Sequence, residues 1–290
     1  MTRKATIPVL GGHGGICSLC LRTAQLCESH FMPRALDNFC RLEEFEPVLV
    51  RSDVLIPSSR QITHRLLCQP CENLLSQRGE TWVIPRLARF EGGFPLVDLL
   101  LQQAPINSGF LPLVYSATKN PNIQRNKLIH FAIGIFWKAS VHSWGAGISE
   151  PHIDLGSGGE ALRRFLLEEQ EFTPNLALTV SVTPPSVQAL PAFSAPERGS
   201  NPDLESFYFY VPGLFFNLYV GEDIRARMGE FCLVSNPLGP IIMADMNAEV
   251  IDLFMGAATT ARKPRKLIEI REAIEKRGLR CSFKELRFPR

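Results

Sequence analysis

Two Cys-x-x-Cys pairs, Cys17/Cys20 and Cys68/Cys71, are separated by residues 21–67. Two residues between thiols let one tight turn aim both sulfurs at a single point. Four thiolates at about 2.3 Å then complete the closed tetrahedron that Zn2+ takes at structural sites. With no open coordination position, such an ion braces a fold and does not activate water. Between the pairs lies the run Ser29-His30-Phe31-Met32-Pro33. An imidazole with an ordinary pKa of about 6.5 accepts a proton at neutral pH when a metal takes the developing charge, so His30 is a candidate general base. The plainer alternative is that His30 bonds its own hairpin backbone. Glu72, directly after Cys71, offers a carboxylate to a hard cation, whereas the hydroxyl of Ser29 is a far poorer ligand. His64 stands just before the second pair. Glu80 adds a further carboxylate two turns on, although an exposed glutamate is the ordinary outcome on an amphipathic helix.

The stretch "CSLC…SHFMPRAL…LLCQPCE" resembles the treble-clef, or ββα-metal, arrangement of the HNH endonucleases. The resemblance covers about 65 residues and nothing beyond them. It implies a zinc knuckle, a hairpin and a helix carrying the second cysteine pair. It also implies that His30 activates water and that a second, catalytic ion, Mg2+ or Mn2+, neutralises the scissile phosphate of a nucleic acid. The pattern departs from the family where Ser29 replaces the usual acidic residue, and where Thr63 and His64 occupy the region of its asparagine. Glu72 stands where the family has Asn or His. The implied catalytic set is therefore His30, Glu72, His64 and Ser29, around zinc on Cys17, Cys20, Cys68 and Cys71. A module that has lost its chemistry and only docks on nucleic acid or a protein partner is the competing expectation.

Composition narrows the setting. A chain of 290 residues that is 45% apolar and 21% charged has ample material for a core. Its longest apolar run, 128–137, falls short of the roughly 20 residues a membrane span needs. The start lacks the apolar core of a secretory signal, so a cytoplasmic protein without membrane attachment is expected. In that setting eight cysteines, four of them in paired spacing, point to metal rather than disulfides. Cys27, Cys40, Cys232 and Cys281 read as buried thiols, and His13, flanked by glycines, as part of a loose arm.

The net charge of +2 hides an uneven distribution: residues 91–256 carry 9 basic and 17 acidic side chains, residues 257–290 carry 11 and 4. Arg22, Arg34, Arg60, Arg65 and Arg78, with Arg262, Lys263, Arg265 and Lys266 of the basic tail, are the side chains available to phosphates. The tail also reads as the solvated face of a terminal helix.

The elements that must position these groups follow from periodicity. A first unit, 14–90, holds the knuckle, a short hairpin at 25–35, an insertion at 36–60 and a helix opening near Pro70, where a missing N–H is harmless. Residues 91–121, rich in Gly, Pro and Asn, read as a connection with one helix at 95–103. A second unit, 122–290, begins with a helix at 122–144 that is apolar on most faces and so belongs in the core. Next comes a helix at 157–170 with a Ser157/Glu160 capping box. Alternation then predicts a strand at 175–184, an aromatic hairpin at 206–221 and one or two strands in 230–244. Helices at 247–260 and 263–278 close the chain. The expected fold is α+β: a treble-clef zinc module followed by a larger α+β domain with an antiparallel sheet. The aromatics of the hairpin read as sheet core rather than as a base-stacking platform.

Overall fold

The computed structural model describes residues 14–41, 48–50, 55–57, 61–89, 92–107, 112–144, 152–187, 189 and 192–244. His13, Arg60, Cys281, the basic tail and the two expected closing helices lie outside the described residues. The fold is α+β, as the sequence predicts.

The first sheet contains β1 (Gly14–Ile16), β2 (Thr23–His30) and β5 (Thr63–Cys68), in the order β1-β2-β5 and antiparallel throughout. The expected local hairpin at 25–35 does not form. Met32-Pro33 ends the first strand, because proline has no N–H for a ladder, and α1 (Arg34–Cys40) starts at once. The strand that pairs with β2 comes from the far side of the insertion, which itself contributes β3 (Val48–Val50) and β4 (Leu55–Pro57). From β5 the chain turns into α2 (Gln69–Leu75), with Pro70 in its first turn as predicted. The helical path continues as a π-helical segment, Ser76–Glu80, then α3 (Thr81–Val83) and a 3-10 turn at Ile84–Arg86.

The 91–121 stretch supplies more than the one helix expected of it, α4 (Pro95–Leu100). Its second element, β6 (Leu113–Ser116), is an edge strand of the main sheet. Then come α5 (Arg125–Val141) and α6 (Gly158–Leu166). The remaining elements are β7 (Leu176–Val182), β8 (Phe193–Ser194), β9 (Glu197–Arg198), β10 (Ser206–Val211), β11 (Leu214–Val220), α7 (Ile224–Met228) and β12 (Pro240–Met243). The main sheet runs β6-β12-β7-β11-β10-β9 and is antiparallel except between β12 and β7. A small third sheet, β4-β3-β8, joins the insertion to the second half of the chain.

Helix α5 is the central element. Every residue from Leu128 to Ala139 is buried, which is what an apolar surface on most faces requires. It packs against the aromatic hairpin β10–β11, where Phe209 and Phe216 stack at 4.9 Å and Phe136 meets Phe209 edge-on at 5.0 Å. The hairpin aromatics Phe207, Phe209, Tyr210, Phe215 and Phe216 are buried, so they are core, as read from the sequence. Burying each such ring contributes about 2 kcal/mol. The hairpin turns on Pro212-Gly213, with Gly213 at φ +80°, the value a type II turn demands at its third position. The Ser157 side chain makes no capping bond; Glu160 is taken instead by Arg163, whose Nε and Nη2 donate to its carboxylate at 2.7 and 2.8 Å.

One continuous apolar core runs from Cys17 and Leu19 to Ile241 and Met243, so the cysteine-bearing layer and the main sheet are packed together. No helix among the described residues is long and apolar enough to cross a membrane.

Candidate metal centre and the histidine face beside it

The first cysteine pair sits on the turn between β1 and β2. Leu21 adopts the left-handed conformation at φ +57°, and the Leu21 N–H donates to the Cys17 carbonyl at 2.8 Å, closing the knuckle. The second pair brackets the start of α2, where Cys68 ends the strand and Cys71 lies in the first helical turn. A bulge in the β2–β5 pairing joins the two halves. Around it the Leu66 carbonyl accepts the knuckle N–H of Ser18 at 3.0 Å, and the Cys68 N–H donates to the Cys17 sulfur at 3.4 Å.

As a result, the Sγ atoms of Cys17, Cys20, Cys68 and Cys71 all lie within 4.8 Å of one another. The Cys20 and Cys68 sulfurs are 3.8 Å apart, the edge of a tetrahedron whose metal–sulfur bonds are about 2.3 Å. The four cysteines are therefore positioned to hold a metal ion, and the donor set suits structural zinc. Electrostatics agree. Burial pushes the Cys17 thiol up, but the N–H groups of Cys20, Cys68 and Leu19 outweigh it and bring the thiol down to about 7. Burial and the neighbouring sulfurs hold Cys71 well above the ordinary thiol value, and burial likewise raises Cys68. One sulfur ionises at the expense of its neighbours; a dication resolves that conflict by stabilising all four thiolates. On the outside of the knuckle, Arg163 of α6 donates from Nη1 to the Leu19 carbonyl at 2.8 Å.

The other sequence-predicted site residues separate into two groups. In the β2–β5 register His30 faces Thr63, and Ser29 faces His64. Facing residues share a side of a sheet and successive residues alternate, so Ser29 and His64 lie on the side opposite His30. Ser29 is fully buried, and its hydroxyl accepts the Leu67 N–H at 3.1 Å, the amide that the bulge frees from the ladder. That is a structural assignment for Ser29. His64 is exposed and stacks on His142 at 3.7 Å, and the His142 ring meets Trp144 edge-on at 5.3 Å.

The second group holds His30, Glu72 and Glu80. Glu72 has one carboxylate oxygen, Oε1, that is buried with no hydrogen-bond partner among the described residues. Glu80, expected on an exposed helical face, is instead partly buried, because the π-helical segment presses against α5. At Gly79 an added Cβ would come within 2.8 Å of the Phe131 Cα. Burial pushes the Glu80 carboxyl above its ordinary value; Lys138 pulls it back, Glu72 pushes it up and His30 pulls it down. The Lys138 Nζ lies 4.0 Å from Glu80 Oε1 and donates to the His30 carbonyl at 3.1 Å. Among the described residues, the four cysteines are the one group of three or more His, Cys, Asp or Glu whose ligand atoms come within 4.8 Å of each other. His30, Glu72 and Glu80 do not all come that close to one another.

Lys138 does not figure among the residues the motifs single out. Its signal in the sequence is a lone charge in "IGIFWKASV", a run otherwise apolar on all faces, where lysine is almost never fully buried unless paired. Of the basic side chains in the first unit, Arg22, Arg34 and Arg65 are exposed, while Arg78 pairs with Glu168 at 2.7 Å. Comparison of the chain with family models, with curated proteins and with solved structures finds no match.

Proposed function

We propose that this protein is a metal-dependent endonuclease of the HNH kind, with zinc on Cys17, Cys20, Cys68 and Cys71 as scaffold and His30 as general base. The observation that carries the reading is the position of His30. It ends the strand that the cysteine cluster braces, on the opposite side from Ser29 and His64 and within electrostatic reach of Glu80, which in turn feels Glu72, a carboxylate with a buried oxygen that has no hydrogen-bond partner among the described residues. In this reading His30 takes the proton of an attacking water, a step that contributes roughly 10²- to 10⁴-fold. Glu72 keeps the role expected of it, and Glu80 takes the place of Ser29 and His64 beside it as a residue that would hold Mg2+ or Mn2+. Such an ion keeps most of its waters and needs only one or two carboxylates from the protein. When bound, that ion supplies positive charge to the scissile phosphate. Exposed Arg22, Arg34 and Arg65 meet the nucleic-acid backbone, and a reducing cytoplasm suits the thiolate ligands.

The test is plasmid nicking by the purified protein with Mg2+ or Mn2+. Wild type is expected to convert supercoiled to open-circular DNA, with His30→Ala slowed at least about 100-fold and Glu72→Gln impaired. Intact plasmid with wild type under both ions refutes the nuclease reading.

A second reading, a zinc-braced module that binds nucleic acid or a protein partner without cutting, is favoured by one observation. Ser29 stands where the family has an acidic ligand, and its hydroxyl is committed to the Leu67 amide. Salt-sensitive DNA binding that His30→Ala leaves unchanged, with no nicking, is its signature.

A further inference from the structure

The buried lysine of α5 touches the proposed site at two points, and nothing in the HNH resemblance accounts for it. Lys138 is 3% exposed, so it cannot reach a phosphate in solvent. A buried ammonium is costly unless its charge and its donors are satisfied. Here the partners are the Glu80 carboxylate at 4.0 Å and the His30 carbonyl at 3.1 Å. The first belongs to the π-helical segment after α2, the second to the last residue of β2. One side chain from the central helix therefore ties together the two elements that carry the proposed chemistry. Around it the backbone is fixed as well: the Lys138 carbonyl accepts the indole N–H of Trp144 at 2.7 Å, and Phe31, next to His30, packs on the Trp144 ring at 5.2 Å. The titratable groups facing Glu80 are Lys138, Glu72 and His30, two of them basic and one acidic.

Resting on the nuclease reading above, we propose that Lys138 is a positioning residue of this site and its resident counter-ion, anchoring the His30 backbone while competing with a divalent cation for Glu80. Both parts follow from one geometry. Loss of the ammonium frees the end of β2, which loosens His30. It also removes from Glu80 the ammonium paired with it, which strengthens the attraction of any added dication. The two effects have opposite signs, and a merely destabilised fold would not produce them together.

The experiment uses Lys138→Met, which keeps the unbranched chain and removes the charge, alongside Lys138→Arg and Glu80→Gln. Mn2+ binding is read on the free protein by electron paramagnetic resonance at pH 8, and single-turnover nicking is read separately. Lys138→Met is expected to bind Mn2+ about tenfold more tightly than wild type while its nicking step slows about tenfold; Lys138→Arg keeps Mn2+ affinity near wild type. In a Glu80→Gln background the tightening disappears, a check made from the partner's side. Equal or weaker Mn2+ binding by Lys138→Met, or no Mn2+ binding by any variant, overturns the proposal. The two readings fail separately. Tighter Mn2+ binding by Lys138→Met in a protein whose wild type does not nick sinks the nuclease and leaves Lys138 only as the counter-ion of Glu80. Nicking that depends on His30 but is indifferent to Lys138→Met does the reverse.

Discussion

The Ser29 hydroxyl accepts the backbone N–H of Leu67 at 3.1 Å inside a fully buried pocket. This bond decides what the residue before His30 is for. It pairs the amide that the β2–β5 bulge leaves out of the ladder, one residue before Cys68, and so helps to set the second cysteine pair.

Ser29→Ala should therefore act on stability. An unpaired buried amide costs about 1–3 kcal/mol, visible as a lower midpoint in urea unfolding. The metal requirement of any nicking should be unchanged. An altered cation preference at unaltered stability would show that Ser29 is a ligand after all.

Gly79→Ala should destabilise by about 2 kcal/mol, because the new methyl meets the Phe131 backbone, which cannot swing aside as a side chain would. Thermal unfolding of the variant measures this. A neutral substitution would mean that the π-helical segment does not press on α5 as described.

Acid should weaken the fold through His130. Burial pushes this imidazole down to about 4; its bond to the Leu166 carbonyl pulls up, Arg78 lowers it further and Glu168 raises it. The folded value lies below the unfolded one, about 6.5, so between these values the unfolded chain binds the extra proton. The contribution is present above pH 6.5 and is lost as the pH falls toward 4. Its full size is about 3 kcal/mol. Unfolding midpoints of wild type and His130→Gln, compared from pH 7 to pH 4, should converge as the pH drops. Parallel curves would contradict the assignment.

Much of this arrangement is legible in the sequence, for physical reasons that differ by element. The cysteine pairs are local patterns with one main use, so Cys17, Cys20, Cys68 and Cys71 can be grouped from spacing alone. Helix α5 and the aromatic hairpin announce themselves by period, since burial on most faces or in alternation leaves a repeat. Pairings across long separations leave no such trace. The partner strand of β2 begins 33 residues after it ends, and the edge strand β6 hides in a Gly- and Pro-rich stretch because Leu113–Ser116 is too short a run to show a period. Ser29 and His30 look equivalent as neighbours in a motif, yet alternation along the strand sends them to opposite faces. Lys138 escapes because its partners, Glu80 and the His30 carbonyl, are 58 and 108 residues away.

Metal removal tests the brace functionally. Stripping the protein with a strong chelator, or Cys68→Ser, should lower the melting temperature by about 10 °C or more and expose apolar surface, since a structural site contributes its binding energy to folding. Re-addition of Zn2+ should restore the wild type but not Cys68→Ser.

The most direct test is X-ray absorption at the zinc edge, combined with elemental analysis of the purified protein. One zinc per chain surrounded by four sulfurs at about 2.3 Å is the predicted result. Absence of stoichiometric metal, or a first shell of nitrogen and oxygen in place of sulfur, would contradict the account at its root.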